Sequence, residues 1–283
     1  MIETTNRTKF FGILGTPIEH TISPAMHSYM ANKTGIDMAY LAFDVQPHEL
    51  DDVMCGAKAM GAAGFNITAP HKIHVMQHLD LVCEDAIRMD SVNTIVNRNG
   101  IWHGFNTDGD GFCGSLKLEG CEIKDKHILM MGAGGSARAL CYKLAQSGAK
   151  SITITSRSMD KIHIIGDMVE KYTYAAFYDS MDAGKDYDIV INTTPVGMHP
   201  YEDGNPCSFM DKIEPGMFCC DIIYNPRKTV FLQEAKKRGA RITNGLGMLV
   251  LQGILAFEHF SGKTLDHAAY YEELMHLFAQ YRI

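Results

Sequence analysis

The sequence lacks three features that would each place a protein in a special class. Its eight cysteines include no C-x-x-C pair, so their spacing fits neither a zinc site nor a secreted disulfide framework. No apolar run reaches the ~18 residues of a membrane helix, and the N-terminus has no apolar signal-peptide core. We therefore expect a cytoplasmic protein with reduced thiols and no membrane partner.

Positive charge is also scarce. The chain has 26 lysines and arginines against 33 aspartates and glutamates, a net charge of −7. Because binding to a phosphate backbone needs a basic surface, we expect no nucleic-acid partner, although a local basic pocket for one small anion is compatible with this balance. The 13 histidines form no ligand pair beside a suitable carboxylate, and His71 and His74 are expected to flank a helix. We expect no metal.

The composition is otherwise that of an ordinary globular protein. Apolar residues make up 46% of the chain and charged residues 21%. No internal repeat or low-complexity segment is visible. A length of 283 residues is enough for two domains, each with its own core.

The first half of the chain predicts an α/β unit of short strands and helices. Ser23 is a plausible N-cap for a helix that Pro24 opens. A hairpin is expected around Asn97–Gly100, which joins two short β-type runs. The other expected strands cover residues 10–15, 39–45 and 64–67, and the other expected helices cover 47–60 and 70–79.

The second half, from about Gly109, alternates between strand and helix patterns. Alternation of this kind predicts a parallel, doubly wound sheet. Two helices, 249–260 and 268–281, have no strand after them and could return to cover the first domain. A helix is expected at 112–118, and strands at 127–131, 151–155, 175–178, 188–192, 217–222 and 241–243.

The stretch from Gly64 to Lys72 is the first candidate for chemistry. A buried strand ends on a polar tip, and Pro70 fits the first position of a helix. Lys72 would then lie in the first helical turn, where the helix dipole is unfavourable for a cation. A surface lysine after a turn explains this stretch when it is taken alone. Polar clusters elsewhere in the chain favour a functional lysine instead.

A glycine-rich turn marks a nucleotide site. The motif G-x-G-x-x-A follows the strand 127–131 and opens an alanine-rich helix. Its glycines let backbone amides approach a pyrophosphate, whose charge the helix N-terminus stabilises. We therefore expect a dinucleotide site formed by Gly132, Ala133, Gly134, Gly135, Ser136 and Ala137.

The end of the next strand indicates which dinucleotide binds. An NAD site usually carries Asp or Glu there, to bind the ribose 2′-hydroxyl. This chain instead has Ser156, Arg157 and Ser158, with Lys161 one turn further. Arginine can stack on adenine and bind a 2′-phosphate, so NADP is favoured. The alternative is a solvated arginine in a turn.

Taken together, the motifs resemble those of the shikimate dehydrogenases and the related quinate/shikimate dehydrogenases. The resemblance runs over essentially the whole chain, and the blocks occur in the family's order. The blocks are 21–27 (TISPAMH), 66–72 (NITAPHK), 92–94 (VNT), 104–109 (GFNTDG), the glycine turn, 192–198 (NTTPVGM), 221–226 (DIIYNP) and 245–252 (GLGMLVLQ).

The resemblance implies a two-domain α/β fold. Residues 1–109, completed by the C-terminal helices 249–283, would form a substrate domain. Residues 110–248 would form a Rossmann-type, doubly wound dinucleotide-binding domain. It also implies NADP-dependent, reversible reduction of 3-dehydroshikimate to shikimate, a step of aromatic amino-acid biosynthesis. The substrate is a small molecule, and the chain would be a monomer or a homodimer.

The resemblance also implies roles for individual residues. Lys72 would act at the reacting oxygen, where it is the best proton donor in these clusters, and Asp108 would orient it. The hydroxyls of Thr21 and Ser23 would bind the substrate carboxylate, with Tyr224 nearby. Residues that would bind the ring hydroxyls are Thr68, Asn93, Asp108 and Gln252, and those on the cofactor side are Thr193, Met198, Ile222, Gly245 and Met248.

The chain departs from the family pattern at two places. Thr21 replaces the family's first serine, which adds a methyl group at the carboxylate end, and Ser156-Arg157-Ser158 replaces Asn-Arg-Thr. A quinate/shikimate enzyme with broader substrate or NAD use is the nearest alternative. An inactive relative that only binds a ligand, and a two-domain dehydrogenase for a folate or an amino acid, are the others.

Overall fold

The computed structural model describes residues 4–170, 172, 174–177 and 187–279. It divides into two compact units, each of which contains one sheet. The first comprises Met1–Thr107 with Gln252–Leu274, and the second comprises Asp108–Leu251 with Met275–Ile283.

The first unit is built on a mixed six-stranded sheet with the order β2-β1-β3-β5-β6-β4. Strand β1 is parallel to β2 and β3, whereas β5 is antiparallel to β3 and β6. The strands are β1 Lys9–Gly15, β2 Met38–Asp44, β3 Gly64–Ile67, β4 Leu81–Val82, β5 Thr94–Arg98 and β6 Ile101–Phe105. Its first helices are α1 Ser23–Thr34, α2 Leu50–Ala59 and α3 Glu84–Met89, with short 3-10 turns at Pro47–Glu49 and His74–His78.

The second unit is built on a parallel six-stranded sheet with the order β12-β11-β10-β7-β8-β9. The strands are β7 His127–Met131, β8 Ser151–Thr155, β9 Tyr174–Phe177, β10 Ile189–Asn192, β11 Phe218–Asp221 and β12 Arg241–Thr243. The strand order reverses between β7 and β10, which is where open α/β sheets bind ligands. The predicted α/β class, with a doubly wound parallel sheet, is confirmed.

The remaining helices follow in chain order. They are α4 Asp108–Leu118, α5 Gly135–Gln146, α6 Met159–Val169, α7 Val230–Lys237, α8 Leu246–Ser261 and α9 His267–Ala279, with a 3-10 turn at Met210–Lys212. Within the described residues, no helix is both long enough and apolar enough to cross a membrane.

The parallel sheet is covered on both faces. Ile128 and Met130 of β7 belong to one buried apolar cluster, and the alternate residues Leu129 and Met131 belong to another. A strand buried on both faces reads as a continuous apolar run, which is why β7 was visible in the sequence. In the first unit, Phe65 of β3 stacks on Trp102 of β6 with ring centroids 6.0 Å apart.

Several predicted elements keep their bounds, and two predictions are wrong. Strands β3, β7, β8 and β12 begin and end where the sequence placed them. Ser23 is not the N-cap of α1; that position is Ile22, and Ser23 is the first helical residue, with its hydroxyl accepting from the Thr21 hydroxyl. The helix predicted at 70–79 does not form, as described below. Tyr178 and residues 280–281, at the ends of two predicted elements, lie outside the described residues.

Candidate active site

Two hydroxyl groups lie side by side at the start of α1. The Thr21 hydroxyl donates to Ser23 Oγ at 3.1 Å, and the Ser23 backbone N–H donates to Thr21 Oγ1 at 3.2 Å. Ser23 is buried and Thr21 is half-buried. A pair of adjacent hydroxyls can donate to the two oxygens of a carboxylate, and hydrogen bonds to an ionised acceptor are short and strong. The geometry of the pair therefore fits the predicted role.

A cluster of amide and hydroxyl groups lies in the same unit. Asn93, which immediately precedes β5, donates from Nδ2 to Thr107 Oγ1 at 3.0 Å and to Gln252 Oε1 at 3.4 Å. Its Oδ1 accepts from the Thr107 backbone N–H and from the Thr94 hydroxyl, both at 2.9 Å. The predicted site residues Asn93 and Gln252 are thus brought together from positions far apart in the chain.

Thr107 is a member of this cluster that the sequence reading did not select. Its hydroxyl lies 3.0 Å from the Gln252 carbonyl oxygen, and its side chain is buried. The available signal was its position between Asn106 and Asp108 in the block GFNTDG. Thr107 fixes helix α8 against the loop that carries Asn93, and so sets where Gln252 lies.

Thr68 and Lys72 follow the end of β3. The Thr68 N–H donates to the Leu14 carbonyl at 2.9 Å, and a Cβ on Gly15 would lie 2.2 Å from the Thr68 methyl group, so only glycine permits this approach. The Lys72 carbonyl accepts from the Val92 N–H at 2.9 Å. The backbone of Lys72 is therefore anchored one residue before Asn93.

The segment around Lys72 is not the helix that the sequence predicted. The His71 N–H donates to the Thr68 carbonyl at 3.0 Å in a turn, and only His74–His78 forms a short 3-10 helix. The buried His71 ring, with Nε2 2.7 Å from the Val45 carbonyl oxygen, holds the turn against the end of β2. Pro70 opens no helix, and Lys72 lies in a turn, so the expected helix dipole does not act on it.

Asp108 is buried and is the first residue of α4, so this helix begins four residues before the predicted start at 112. Its neighbour Gly109 explains the position of this helix end. A Cβ on Gly109 would lie 2.7 Å from the Ala139 carbonyl oxygen, so glycine lets α4 pack closely against α5. Asp108 belongs to the second unit and Lys72 to the first. Their pairing stays a prediction.

The predicted cofactor residues gather at one edge of the parallel sheet. The registers of β12, β11, β10, β7 and β8 place their carboxyl ends next to one another in that order. Gly245, Ile222, Thr193, Gly132 and Ser156 all follow these five ends within two residues. The sheet topology thus brings together residues that are more than 100 positions apart.

The glycine turn after β7 fits a pyrophosphate. Gly132 has a φ of 111°, and a Cβ there would lie 2.5 Å from the Thr193 hydroxyl, so no other residue fits. Gly134 is the N-cap of α5, and a Cβ on Gly134 or Gly135 would meet no atom within 4 Å. The first turn of α5 has no acidic residue. Its N-terminal amides therefore face open space with the helix dipole available to an anion.

The turn after β8 and the first turn of the following helix carry two positively charged side chains. Ser158 is the N-cap of α6, and its N–H donates to the Ser156 hydroxyl at 3.3 Å. Arg157 and Lys161 are exposed. Asp160, in the first turn of α6, is an acidic residue that the prediction did not take into account. With two cationic side chains and one carboxylate, this turn has a net positive charge, which suits a phosphate group.

A buried pair, Asn192 and Asp221, holds the turns after β10 and β11. Asn192 Nδ2 donates to Asp221 Oδ1 at 3.1 Å and to the Val196 carbonyl at 3.2 Å, and its Oδ1 accepts from the Thr194 N–H at 2.9 Å. Asp221 also accepts from the Thr229 hydroxyl at 2.8 Å. Burial raises the pKa of the Asp221 carboxyl to about 6. Both residues lie in motif blocks of the sequence, 192–198 and 221–226, but no role was predicted for either.

The other predicted residues of this unit lie on those turns or on α8. The Gly245 N–H donates to the Ile223 carbonyl at 3.0 Å, and a Cβ on Gly245 would lie 1.8 Å from the Ile222 carbonyl oxygen. Met248 and Ile222 both pack against one buried apolar cluster, whereas Met198 is exposed. Tyr224 is half-buried, and burial raises the pKa of its phenol. Among the described residues, no group of three or more His, Cys, Asp or Glu could hold a metal ion.

Comparison with known protein families shows to which family the chain belongs. Residues 13–95 match the family model described as the shikimate dehydrogenase substrate binding domain, and residues 115–229 match the model described as shikimate/quinate 5-dehydrogenase. The chain belongs to the shikimate dehydrogenase family. The predicted resemblance is confirmed, and with it the membership of a family of oxidoreductases.

Known members of the shikimate dehydrogenase family match this chain over nearly its whole length. A shikimate dehydrogenase (NADP⁺) from Methanococcus aeolicus is 42% identical over 265 residues, covering 92% of this chain and 95% of its own. Shikimate 5-dehydrogenase from Listeria monocytogenes, solved with shikimate and NAD, superimposes with a TM-score of 0.88 at 34% identity over 96% and 98% of the two chains. A shikimate dehydrogenase solved with NADP⁺ has a TM-score of 0.87 at 38% identity, over 97% of each chain.

Proposed function

We propose that this protein catalyses the NADP-dependent, reversible reduction of 3-dehydroshikimate to shikimate, a step of aromatic amino-acid biosynthesis. One observation carries the proposal: the chain matches both the substrate-binding and the catalytic family models, and the relatives that share about 40% of its residues are shikimate dehydrogenases that use NADP⁺. Quinate oxidation with broader cofactor use is not favoured by these relatives.

The substrate binds through hydroxyl and amide groups. The Thr21 and Ser23 hydroxyls, 3.1 Å apart, receive the carboxylate, with Tyr224 as a further partner. The ring hydroxyls bind Thr68, Asn93, Asp108 and Gln252. The contact between Asn93 Nδ2 and Gln252 Oε1 supports this assignment, because it places a donor and an acceptor side by side.

Lys72 supplies the proton. Bound NADPH provides a hydride to the ketone carbon of 3-dehydroshikimate. The Lys72 ammonium donates a proton to the oxygen as negative charge develops there, and it recovers a proton from solvent afterwards. In the oxidation of shikimate the neutral amine accepts the hydroxyl proton. Asp108 orients Lys72 and accepts a hydrogen bond from a substrate hydroxyl.

The cofactor binds along the carboxyl edge of the parallel sheet. The open N-terminus of α5, with Gly134 and Gly135, takes the pyrophosphate, and Arg157 takes the 2′-phosphate with Ser156, Ser158 and Lys161. The nicotinamide lies by the residues that follow β10, β11 and β12. These are Thr193, Met198, Ile222, Gly245 and Met248.

We further infer that the enzyme works in the cytoplasm as a monomer or a homodimer, without a nucleic-acid or membrane partner. Eight unpaired cysteines support a reducing compartment. A net charge of −7 supports the absence of a nucleic-acid partner.

A spectrophotometric assay of NAD(P)H absorbance tests the function. Purified protein is given shikimate or quinate, each with NADP⁺ or NAD⁺. We expect the highest kcat/KM for shikimate with NADP⁺, and a preference for shikimate over quinate of at least about tenfold, because the Thr21 methyl crowds the tetrahedral C1 of quinate.

Each alternative has its own outcome in this assay. A quinate preference would assign the broader quinate/shikimate activity. If the assay shows no turnover but calorimetry detects shikimate binding, the protein would be an inactive relative that only binds a ligand. If neither acid binds or reacts, the remaining alternative is a dehydrogenase for another substrate.

A further inference from the structure

Asn66 lies at the centre of a buried hydrogen-bond network that the proposed mechanism does not use. It is the third residue of β3 and is buried, as is Tyr40 of β2. The Tyr40 hydroxyl donates to Asn66 Oδ1 at 2.7 Å. Asn66 Nδ2 donates to the Asn93 carbonyl and to the Thr94 hydroxyl oxygen, both at 3.2 Å. The amide is held on both of its sides, so it cannot rotate.

His27 of α1 packs against the tyrosine that holds this amide. Its buried ring stacks on Tyr40, with centroids 4.2 Å apart and planes at 8°. Burial lowers the pKa of His27 to about 3, so the ring is neutral. The stacked ring helps to fix Tyr40, whose hydroxyl donates to Asn66 Oδ1.

The network reaches the cluster of amide and hydroxyl groups around Asn93. The Thr94 hydroxyl accepts from Asn66 Nδ2, so its single proton goes to Asn93 Oδ1 at 2.9 Å. All these residues belong to the first unit.

The direction of these bonds determines what Asn93 can offer a substrate. Its Oδ1 accepts from the Thr94 hydroxyl and from the Thr107 N–H, so both lone pairs are used. Its Nδ2 group donates to Thr107 Oγ1 at 3.0 Å and, in a longer contact of 3.4 Å, to Gln252 Oε1. Asn93 can therefore offer a substrate an N–H donor in place of the long contact with Gln252, and no acceptor.

We propose that Asn66 is a positioning residue of the substrate site. Held by Tyr40 and acting through Thr94, it orients the amide of Asn93 in the Asn93–Gln252 cluster and fixes Asn93 as a donor to a ring hydroxyl. The inference rests on the proposed function, since the ligand concerned is shikimate.

Thr94 offers the sharpest test, because two substitutions separate its hydroxyl from its shape. Thr94→Val keeps the volume and removes the hydroxyl, whereas Thr94→Ser keeps the hydroxyl and removes a methyl group. We expect Thr94→Val to raise KM for shikimate by about three- to tenfold, the usual worth of one hydrogen bond, with kcat and KM for NADP⁺ within about twofold of wild type. Thr94→Ser should restore KM to within about twofold of wild type.

Tyr40→Phe tests the other side of Asn66, and the chain supplies a matched control. Tyr187 is also buried, but its hydroxyl has no partner among the described residues, so Tyr187→Phe should leave all kinetic constants unchanged. Tyr40→Phe should raise KM for shikimate by about three- to tenfold. Because both changes act through Asn66, the effect of Tyr40→Phe with Thr94→Val should be smaller than the product of the two single effects.

The outcomes separate this inference from the function on which it rests. If wild type oxidises shikimate but Thr94→Ser is impaired more than Thr94→Val, packing rather than hydrogen bonding explains Thr94, and the inference is wrong. Fully multiplicative effects in the double variant, or equal effects of Tyr40→Phe and Tyr187→Phe, would also overturn it. Wild type that neither binds nor oxidises shikimate would overturn both claims. Thermal unfolding of each variant confirms that it is folded.

Discussion

At the scale of single residues, the proposed mechanism depends most on Lys72. We expect Lys72→Ala to lower kcat by about 10²–10⁴-fold, because general acid–base help of this size is lost with the ammonium group. The KM for shikimate should change less, since the proposed substrate ligands Thr21, Ser23, Asn93 and Gln252 are retained. Steady-state and single-turnover kinetics of shikimate oxidation measure the effect.

A lysine of the same unit provides the control. Lys58 forms a surface ion pair with Asp80 at 3.3 Å, and half of its side chain is exposed. Such pairs contribute little, so Lys58→Ala should keep wild-type kinetics. A Lys72→Ala enzyme that keeps more than about a third of wild-type kcat would remove Lys72 from proton transfer.

We expect Arg157 to decide the choice of cofactor. Arg157→Ala should raise KM for NADP⁺ by about tenfold or more and leave KM for NAD⁺ nearly unchanged, because only NADP⁺ carries the 2′-phosphate. NAD⁺ serves as the internal control in the same assay. Equal effects on both cofactors would mean that Arg157 stacks on adenine alone, and a wild-type preference for NAD⁺ would contradict the assignment.

At the scale of elements, the Asn192–Asp221 pair joins the turns that follow β10 and β11. We expect Asn192→Ala to lower the free energy of unfolding by about 2–3 kcal/mol, because the Val196 carbonyl, the Thr194 N–H and the Asp221 carboxyl each lose a partner. It should raise KM for NADP⁺ more than KM for shikimate, since Thr193 and Ile222 lie on these turns. Urea unfolding and steady-state kinetics measure both.

Asn205 is the matched control for that substitution. It is half-buried in the same unit, donates to Glu234 at 2.9 Å and accepts from the Cys207 N–H at 2.9 Å. Because two partners are lost instead of three, Asn205→Ala should cost less than Asn192→Ala and leave both KM values unchanged. If Asn192→Ala instead raised KM for both ligands equally, the pair would support the fold without a particular role at the cofactor.

The sequence predicted elements well where one signal dominates. Strand β7 was visible because it is apolar on both faces, and the hairpin of β5 and β6 because Asn99 and Gly100 accept positive φ values. The helix at 70–79 failed because tertiary bonds decide that segment. The His71 ring binds Val45, and the Lys72 carbonyl binds Val92, neither of which lies nearby in sequence. Local periodicity carries no information about such partners.

The candidate site was predicted only in part, for the same reason. The glycine turn is a local motif, so a pyrophosphate site there could be predicted from the sequence. Thr107, Asn66 and Tyr40 were not selected, because they act through hydrogen bonds between segments that are not adjacent in the sequence. The family resemblance implies roles for residues that are expected to contact ligands and none for residues that would position them.

At the scale of the whole molecule, two buried groups make opposite contributions to stability in acid. Burial lowers the pKa of His27 from 6.5 to about 3, so the unfolded chain binds a proton first and stability is lost as the pH falls below about 6.5. Burial raises the pKa of Asp221 from 3.8 to about 6, so the folded chain binds a proton first. The stability from Asp221 is present below about pH 4 and is lost as the pH rises through about 6.

Removal of each group should therefore change the pH profile in opposite directions. Between pH values of about 6 and 4, His27→Gln should make the acid loss of unfolding free energy shallower, and Asp221→Asn should make it steeper, each by up to about 1.4 kcal/mol per pH unit. Urea unfolding of wild type and both variants across this range measures how the free energy of unfolding changes with pH. These slopes are compared, and not the absolute stabilities, because each substitution also removes hydrogen bonds. If the three curves of unfolding free energy against pH had the same slope, His27 and Asp221 would each titrate alike in the folded and unfolded chain. If Asp221→Asn instead made the acid loss shallower, the hydrogen bonds from Thr229 and Asn192 would outweigh burial at Asp221.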